Sequence, residues 1–188
     1  QSGLHRTEGE IADKNAINER IMGANVDWRN NSMKLGARII ESKYGKTFDG
    51  NKQLYQKFSL DTNQWVNAGF DANILIKNVN LFGEFSTSSN GGWAYLAGAL
   101  LQLDDRVAVS VVNRNFQPNY LSVYANSFGE RSSNNNEKGT YIGIKADLVT
   151  GVVLTAYVDK YDFQWLSYQA DAPTSGLDFM TRINWKIN

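Results

Sequence analysis

From residue 21 onward, hydrophobic and polar residues alternate with a period of two, the spacing at which an extended chain turns successive side chains to opposite faces. Residues 21–29 and 33–42 read as a hairpin across Asn30-Asn31. Residues 65–76 and 79–87 pair across Lys77-Asn78, 92–102 and 106–115 across Asp104-Asp105, and 140–149 and 152–161 across Thr150-Gly151. Residues 177–187 make a ninth strand. The first twenty residues differ. Thr7-Glu8-Gly9-Glu10 has the form of a capping box and predicts a short helix over 8–20.

Sorting the strands by parity gives two unlike faces. One carries Met22, Val26, Trp28, Leu35, Ile39, Val66, Phe70, Ile74, Leu81, Phe85, Val109, Val111, Ile142, Ile144, Leu154, Val158, Phe179, Ile183 and Trp185, with no charge at mid-strand. The other carries Asp27, Arg29, Lys34, Arg38, Asp71, Glu84, Arg106, Arg114, Lys145, Asp147, Asp159, Arg182 and Lys186. The fifth strand breaks the rule: Trp93, Tyr95, Ala97 and Leu101 fall on its nominal inner parity, which predicts a plug or packed wall there.

Strands of about 9 to 12 residues have the length that crosses a bilayer at barrel tilt. The four hairpin turns are short, while the links 43–64, 116–139 and 162–176 are long. Outer-membrane barrels alternate in this way between periplasmic turns and extracellular loops. The expected fold is therefore all-β: an antiparallel up-and-down transmembrane β-barrel, partial, with about nine strands of a larger barrel and a short helix in an outer loop. Residues 1–20 form the loop and helix on the extracellular side, and 21–188 the barrel segment. An odd strand count cannot close the usual even-numbered barrel, so further strands and an upstream secretion signal are expected outside this stretch. A soluble sandwich or lipocalin-like binding barrel would alternate too, with its apolar face turned inward.

Composition narrows the chemistry. Lys+Arg and Asp+Glu balance at 19 each, giving no nucleic-acid footprint. There is no cysteine and one histidine, His5, which leaves no thiol nucleophile and no multi-histidine metal site. The most apolar run, residues 93–101, is about half of a membrane-spanning helix. Asp104-Asp105 reads as a turn rather than a catalytic carboxylate pair. Residues 171–175 lack the ligand spacing of a calcium loop. No cofactor or metal and no enzymatic activity are expected.

Four segments resemble the barrel region of the Bacteroidota outer-membrane proteins classed as helix-hairpin-helix domain proteins. They are Leu4-His5-Arg6-Thr7 with Glu10-Ile11-Ala12-Asp13-Lys14-Asn15-Ala16; Tyr120-Leu121-Ser122-Val123-Tyr124-Ala125-Asn126-Ser127-Phe128; Asn136-Glu137-Lys138-Gly139; and Trp165-Leu166 with Asp171-Ala172-Pro173-Thr174-Ser175-Gly176. The resemblance implies an outer-membrane barrel in a longer chain with periplasmic helical repeats.

The candidate residues fall into three sets. Asp71, Glu84, Arg106, Arg114, Lys145, Asp147, Asp159, Arg182 and Lys186 are expected to face a polar lumen. Trp28, Phe70, Phe85, Phe179 and Trp185 are expected to face lipid, with Trp28 and Trp185 toward the periplasmic rim and Phe85 and Phe179 toward the outer rim as two interfacial girdles. Tyr120, Tyr124, Asn126, Trp165, Asp171, Pro173 and Gly176 are expected in extracellular loops that form a lid, plug or docking surface. The expected role is a non-enzymatic transport, secretion or assembly component, or a plugged structural barrel, in contact with outer-membrane lipid and other envelope proteins.

Overall fold

The computed structural model describes residues 6–12, 14, 16–48 and 52–186. His5 and the end of the ninth predicted strand at Ile187 lie outside them. Nine strands form one sheet: β1 (Glu19–Arg29), β2 (Met33–Tyr44), β3 (Gln64–Ile76), β4 (Val79–Ser88), β5 (Trp93–Gln102), β6 (Val107–Phe116), β7 (Glu137–Val149), β8 (Val152–Phe163) and β9 (Thr174–Trp185). They follow one another across the sheet in chain order, each antiparallel to the last. β1 and β9 each keep one edge without a strand partner among the described residues.

Turn chemistry fixes the hairpins. Asn30 Oδ1 accepts the N–H groups of Ser32 and Met33 at 2.9 and 2.8 Å. Asp104 Oδ1 accepts those of Arg106 and Val107, both at 2.8 Å, so this aspartate closes a turn, as its side-chain geometry favours. Arg106 thus sits in the turn and not in the strand that the alternation predicts.

The strand ends near the long loops also move. β7 begins at Glu137 instead of 140, and β9 at Thr174 instead of 177. Gly176 is therefore a strand residue, not a loop residue, and the Tyr161 ring lies over it where a Cβ would collide. Lys186 falls just past the end of β9.

The helix is shorter than predicted, spanning Glu8–Ala12. Its capping box is present: Thr7 Oγ1 accepts the Glu10 N–H, and Glu10 Oε2 accepts that of Thr7, both at 3.2 Å. The chain leaves helix because the extended end of β2 draws it in: the Gly45 N–H donates to Asn18 O at 2.8 Å, and β1 starts one residue later.

The apolar face is the exposed one. Val26 is 73% exposed, Phe179 71% and Trp185 69%. On the opposite face Trp65, Ser42, Arg114 and Glu137 are buried almost completely. Among the described residues no strand touches any strand but its sheet neighbours, and no second layer covers the apolar face.

The fifth strand is corrected. Tyr95 registers with Phe85 and Trp93 with Thr87, which puts both on the apolar face. Phe70, Phe85, Trp93 and Tyr95 form a row of stacked rings with centroids 5.6, 6.3 and 6.0 Å apart. The inner positions are Ala94 and Leu96, which pack with Phe116 and the loop residue Tyr120. β5 is apolar on both sides because its inner side meets protein.

Candidate functional site

The inner face holds two charge clusters. In the first, Arg38 Nη2 lies 2.5 Å from Asp71 Oδ1 and 4.0 Å from Asp27 Oδ1, and Lys34 Nζ lies 3.8 Å from Asp27 Oδ1. Gly36 registers with both aspartates, and a side chain there would run into their carboxylates. The missing Cβ is what lets two acids and two bases share one patch of wall. Glu84 continues the patch as the register partner of Asp71.

The second cluster is buried. Arg114 on β6 donates through Nε to Glu137 Oε1 on β7 at 2.7 Å, and through Nη1 to Asp159 Oδ2 on β8 at 2.9 Å. All three are 3% exposed or less. Arg114 and Asp159 lie on the inner face but are sealed from the open interior. The guanidinium lies over Gly139, where a Cβ would sit 2.8 Å from Arg114 Cζ. Lys145, Asp147 and Arg182, by contrast, are exposed inner-face charges without an ion pair among the described residues.

This triad holds a loop. The β6–β7 connection, residues 117–136, folds across the inner face. The Glu130 N–H donates to both Glu137 carboxylate oxygens at 3.1 Å, and the Phe128 ring stacks 5.5 Å from the Arg114 guanidinium. At the far side Asn67 Nδ2 on β3 donates to Leu121 O at 2.7 Å, and the Leu121 N–H donates to Ser88 Oγ on β4 at 3.2 Å. The loop is thus tied to strands on both sides of the concavity. A cavity of about 380 Å3 remains between its 122–125 stretch and the wall formed by Asn25, Arg38, Asn67 and Asp71.

The Glu130 carboxyl is pushed above the usual carboxylate range by burial first, then by the charges of Asp159, Asp178 and Glu137, with Arg114 opposing. A carboxyl raised on folding binds more protons folded than unfolded, so this contribution weakens as pH rises from the unfolded pKa through the folded one. Glu130→Gln removes the repulsion. At neutral pH its loop should resist limited proteolysis longer than wild type, while at pH 4 the two should be cut alike. Equal cutting rates at neutral pH would reject the argument.

The predicted loop residues separate. Tyr120, 5% exposed, turns inward from its loop onto Ala94 and Phe116, whereas Tyr124, Asn126, Asp171 and Pro173 are exposed. Trp165 is half-buried, and its backbone is held by Asn136, whose side chain accepts the Trp165 N–H at 2.6 Å and donates to Trp165 O at 3.1 Å. Of the apolar-face aromatics, Trp28 and Trp185 lie at the short-turn end, Phe85 lies toward the opposite end of β4, and Phe70 and Phe179 lie mid-strand. Glu137 was missed as a site residue. Carrying the two-residue period back from Lys145 through Tyr141 and Gly139 would have reached it.

The arrangement defines a class: an up-and-down antiparallel sheet of membrane-crossing strand length, apolar outside, charged inside, with a loop tethered across the interior. Among solved structures the chain is similar to one titled OmpT (in-vitro folded), an outer membrane protein of Vibrio cholerae in trimer form. The two are 9% identical with a TM-score of 0.46, over 89% of this chain and 56% of that one. The chain thus spans about half the length of that protein. No family model and no curated protein matches the chain.

One expectation is corrected here: the exclusion of enzymatic activity does not stand. The exclusion rested on one histidine and no cysteine, yet carboxylates and hydroxyls serve as acids, bases and nucleophiles without either.

Proposed function

We propose that the chain forms part of the wall of an outer-membrane β-barrel, with its apolar face against lipid hydrocarbon and its charged face around an interior that loop 117–136 crosses. The observation that carries this reading is the uncovered apolar face. Leaving a large apolar side chain in water instead of burying it forgoes roughly 1.5–3 kcal/mol. Met22, Val26, Trp28, Leu35, Ile39, Phe70, Leu81, Ile142, Ile144, Val158, Phe179, Ile183 and Trp185 are all more than a third exposed. Together they represent tens of kcal/mol on the order given by that scale, which a hydrocarbon environment supplies and water does not. A lipocalin-like barrel would need the opposite sidedness.

The role that follows is a transport, secretion or assembly component of the outer membrane, in contact with lipid and other envelope proteins. The resemblance to the Bacteroidota helix-hairpin-helix proteins belongs to the same proposal. The tethered loop favours a gated or plugged interior over a wide open pore.

Single-tryptophan variants reconstituted in bilayers with brominated acyl chains test the reading. A chain keeping only Trp185 should be strongly quenched, and one keeping only Trp165 little. Equal quenching of the two, or a stable monomer in water without detergent, would overturn it.

A further inference from the structure

The outer loops make a second recess that the barrel reading does not use. Three connections meet there: residues 52–63 between β2 and β3, 117–136 between β6 and β7, and 164–173 between β8 and β9. Trp165 Nε1 donates to Leu54 O at 3.0 Å, joining loops 111 residues apart in the chain. Phe58 packs edge-on against Trp165 at 5.3 Å, Tyr55 against Tyr168 at 5.7 Å, and Asn135 Nδ2 donates to Pro118 O at 3.1 Å. Asn136, which clamps the Trp165 backbone, does so from a left-handed conformation at φ 57°. The walls are therefore set before any ligand arrives.

Between them lies a cleft of about 280 Å3. That is just below the roughly 300 Å3 at which sites for drug-sized ligands begin, so it suits one ring-sized molecule. Its polar lining includes Gln56, Arg131, Ser133, Asn135 and Ser167, and among the described residues no Asp or Glu lines it. Arg131 stacks on the Phe163 ring at 4.7 Å and has no carboxylate partner among the described residues. The stacking fixes the guanidinium plane and leaves its N–H edges to a ligand. Tyr55, Phe58 and Trp165 furnish ring surface on the same walls.

We propose that this cleft binds one saccharide unit bearing an acidic group, a uronate or a sugar phosphate. Arg131 takes the anion through paired N–H donors. Gln56 and Ser133 exchange hydrogen bonds with ring hydroxyls, and the aromatic walls meet the apolar C–H face of the sugar. A fatty chain would leave the hydroxyls and amides unpaired, and a bare inorganic anion would leave the aromatic surface without contact.

Saturation-transfer NMR and calorimetry on the whole chain in detergent, with glucuronate, glucose 6-phosphate, glucose and inorganic phosphate as probes, decide it. Glucuronate and glucose 6-phosphate should bind at least tenfold more tightly than glucose or phosphate. Arg131→Gln should abolish that preference, while Arg106→Gln, in a turn at the opposite end of the strands, should leave it intact. Ser133→Val should weaken both acidic sugars without changing phosphate, and it serves if Arg131→Gln does not fold. Binding of glucose equal to glucuronate, binding of phosphate equal to glucose 6-phosphate, or indifference to Arg131→Gln and Ser133→Val would each overturn the proposal. The titration stands apart from the lipid-quenching result, because the cleft is built from loops alone.

Discussion

Arg114→Met is expected to destabilise the fold by about 3–5 kcal/mol, the range seen when one partner of a buried ion pair is removed. The methionine fills much of the arginine's volume, so the effect is electrostatic. It leaves Glu137 and Asp159 at 0% and 3% exposure with no cation between them. Two buried carboxylates left without solvent or a cation carry that cost. Urea unfolding in detergent micelles, followed by tryptophan emission, reads the midpoint. Arg114→Met combined with Glu137→Gln and Asp159→Asn should recover most of the stability, since replacing a whole buried ionic group is often near neutral. A single variant as stable as wild type at pH 8 would mean the triad is not sealed from water. Because Glu137 also accepts the Glu130 N–H, the single variant should loosen loop 117–136 as well.

Ile142→Arg is the second large effect. Ile142 and Val158 are register partners in the middle of β7 and β8, 53% and 48% exposed on the apolar face. An arginine there should cost about 2–4 kcal/mol of folding in a bilayer, the range for a cation at the midplane of a barrel's lipid face. Met180→Arg, on the inner face beside Tyr157 and close to the acids Asp159 and Asp178, should be tolerated. Folding yield into lipid vesicles, read by the gel-mobility difference between folded and unfolded barrel, separates the two. Equal yields for the two variants would contradict the assignment of faces.

The period of two made the strands and their faces legible, because every mid-strand charge on one side is a penalty that the pattern avoids. Where the pattern was weak, the reading drifted. β5 is apolar at nearly every position, so parity carried no information, and only its register with Phe85 and Thr87 decides which side Trp93 and Tyr95 take. The helix forecast over 8–20 ran past the point where strand pairing at Asn18 overrides local propensity. The early start of β7 was hidden because Glu137 sits in a polar, asparagine-rich stretch that looks like loop. The destination of loop 117–136 was not legible at all, since the Asn67–Leu121 bond joins residues 54 apart and depends on how the sheet curls. The loop cleft depends in the same way on contacts between segments that the sequence keeps far apart.

Strand order that follows chain order has a further effect on how such a wall is made. Every interface joins neighbours along the polypeptide, so each pairing closes over one connection only. Such a sheet can zip up one hairpin at a time from any starting pair. A hairpin added or removed at the β1 or β9 edge leaves the pairing of the other strands untouched.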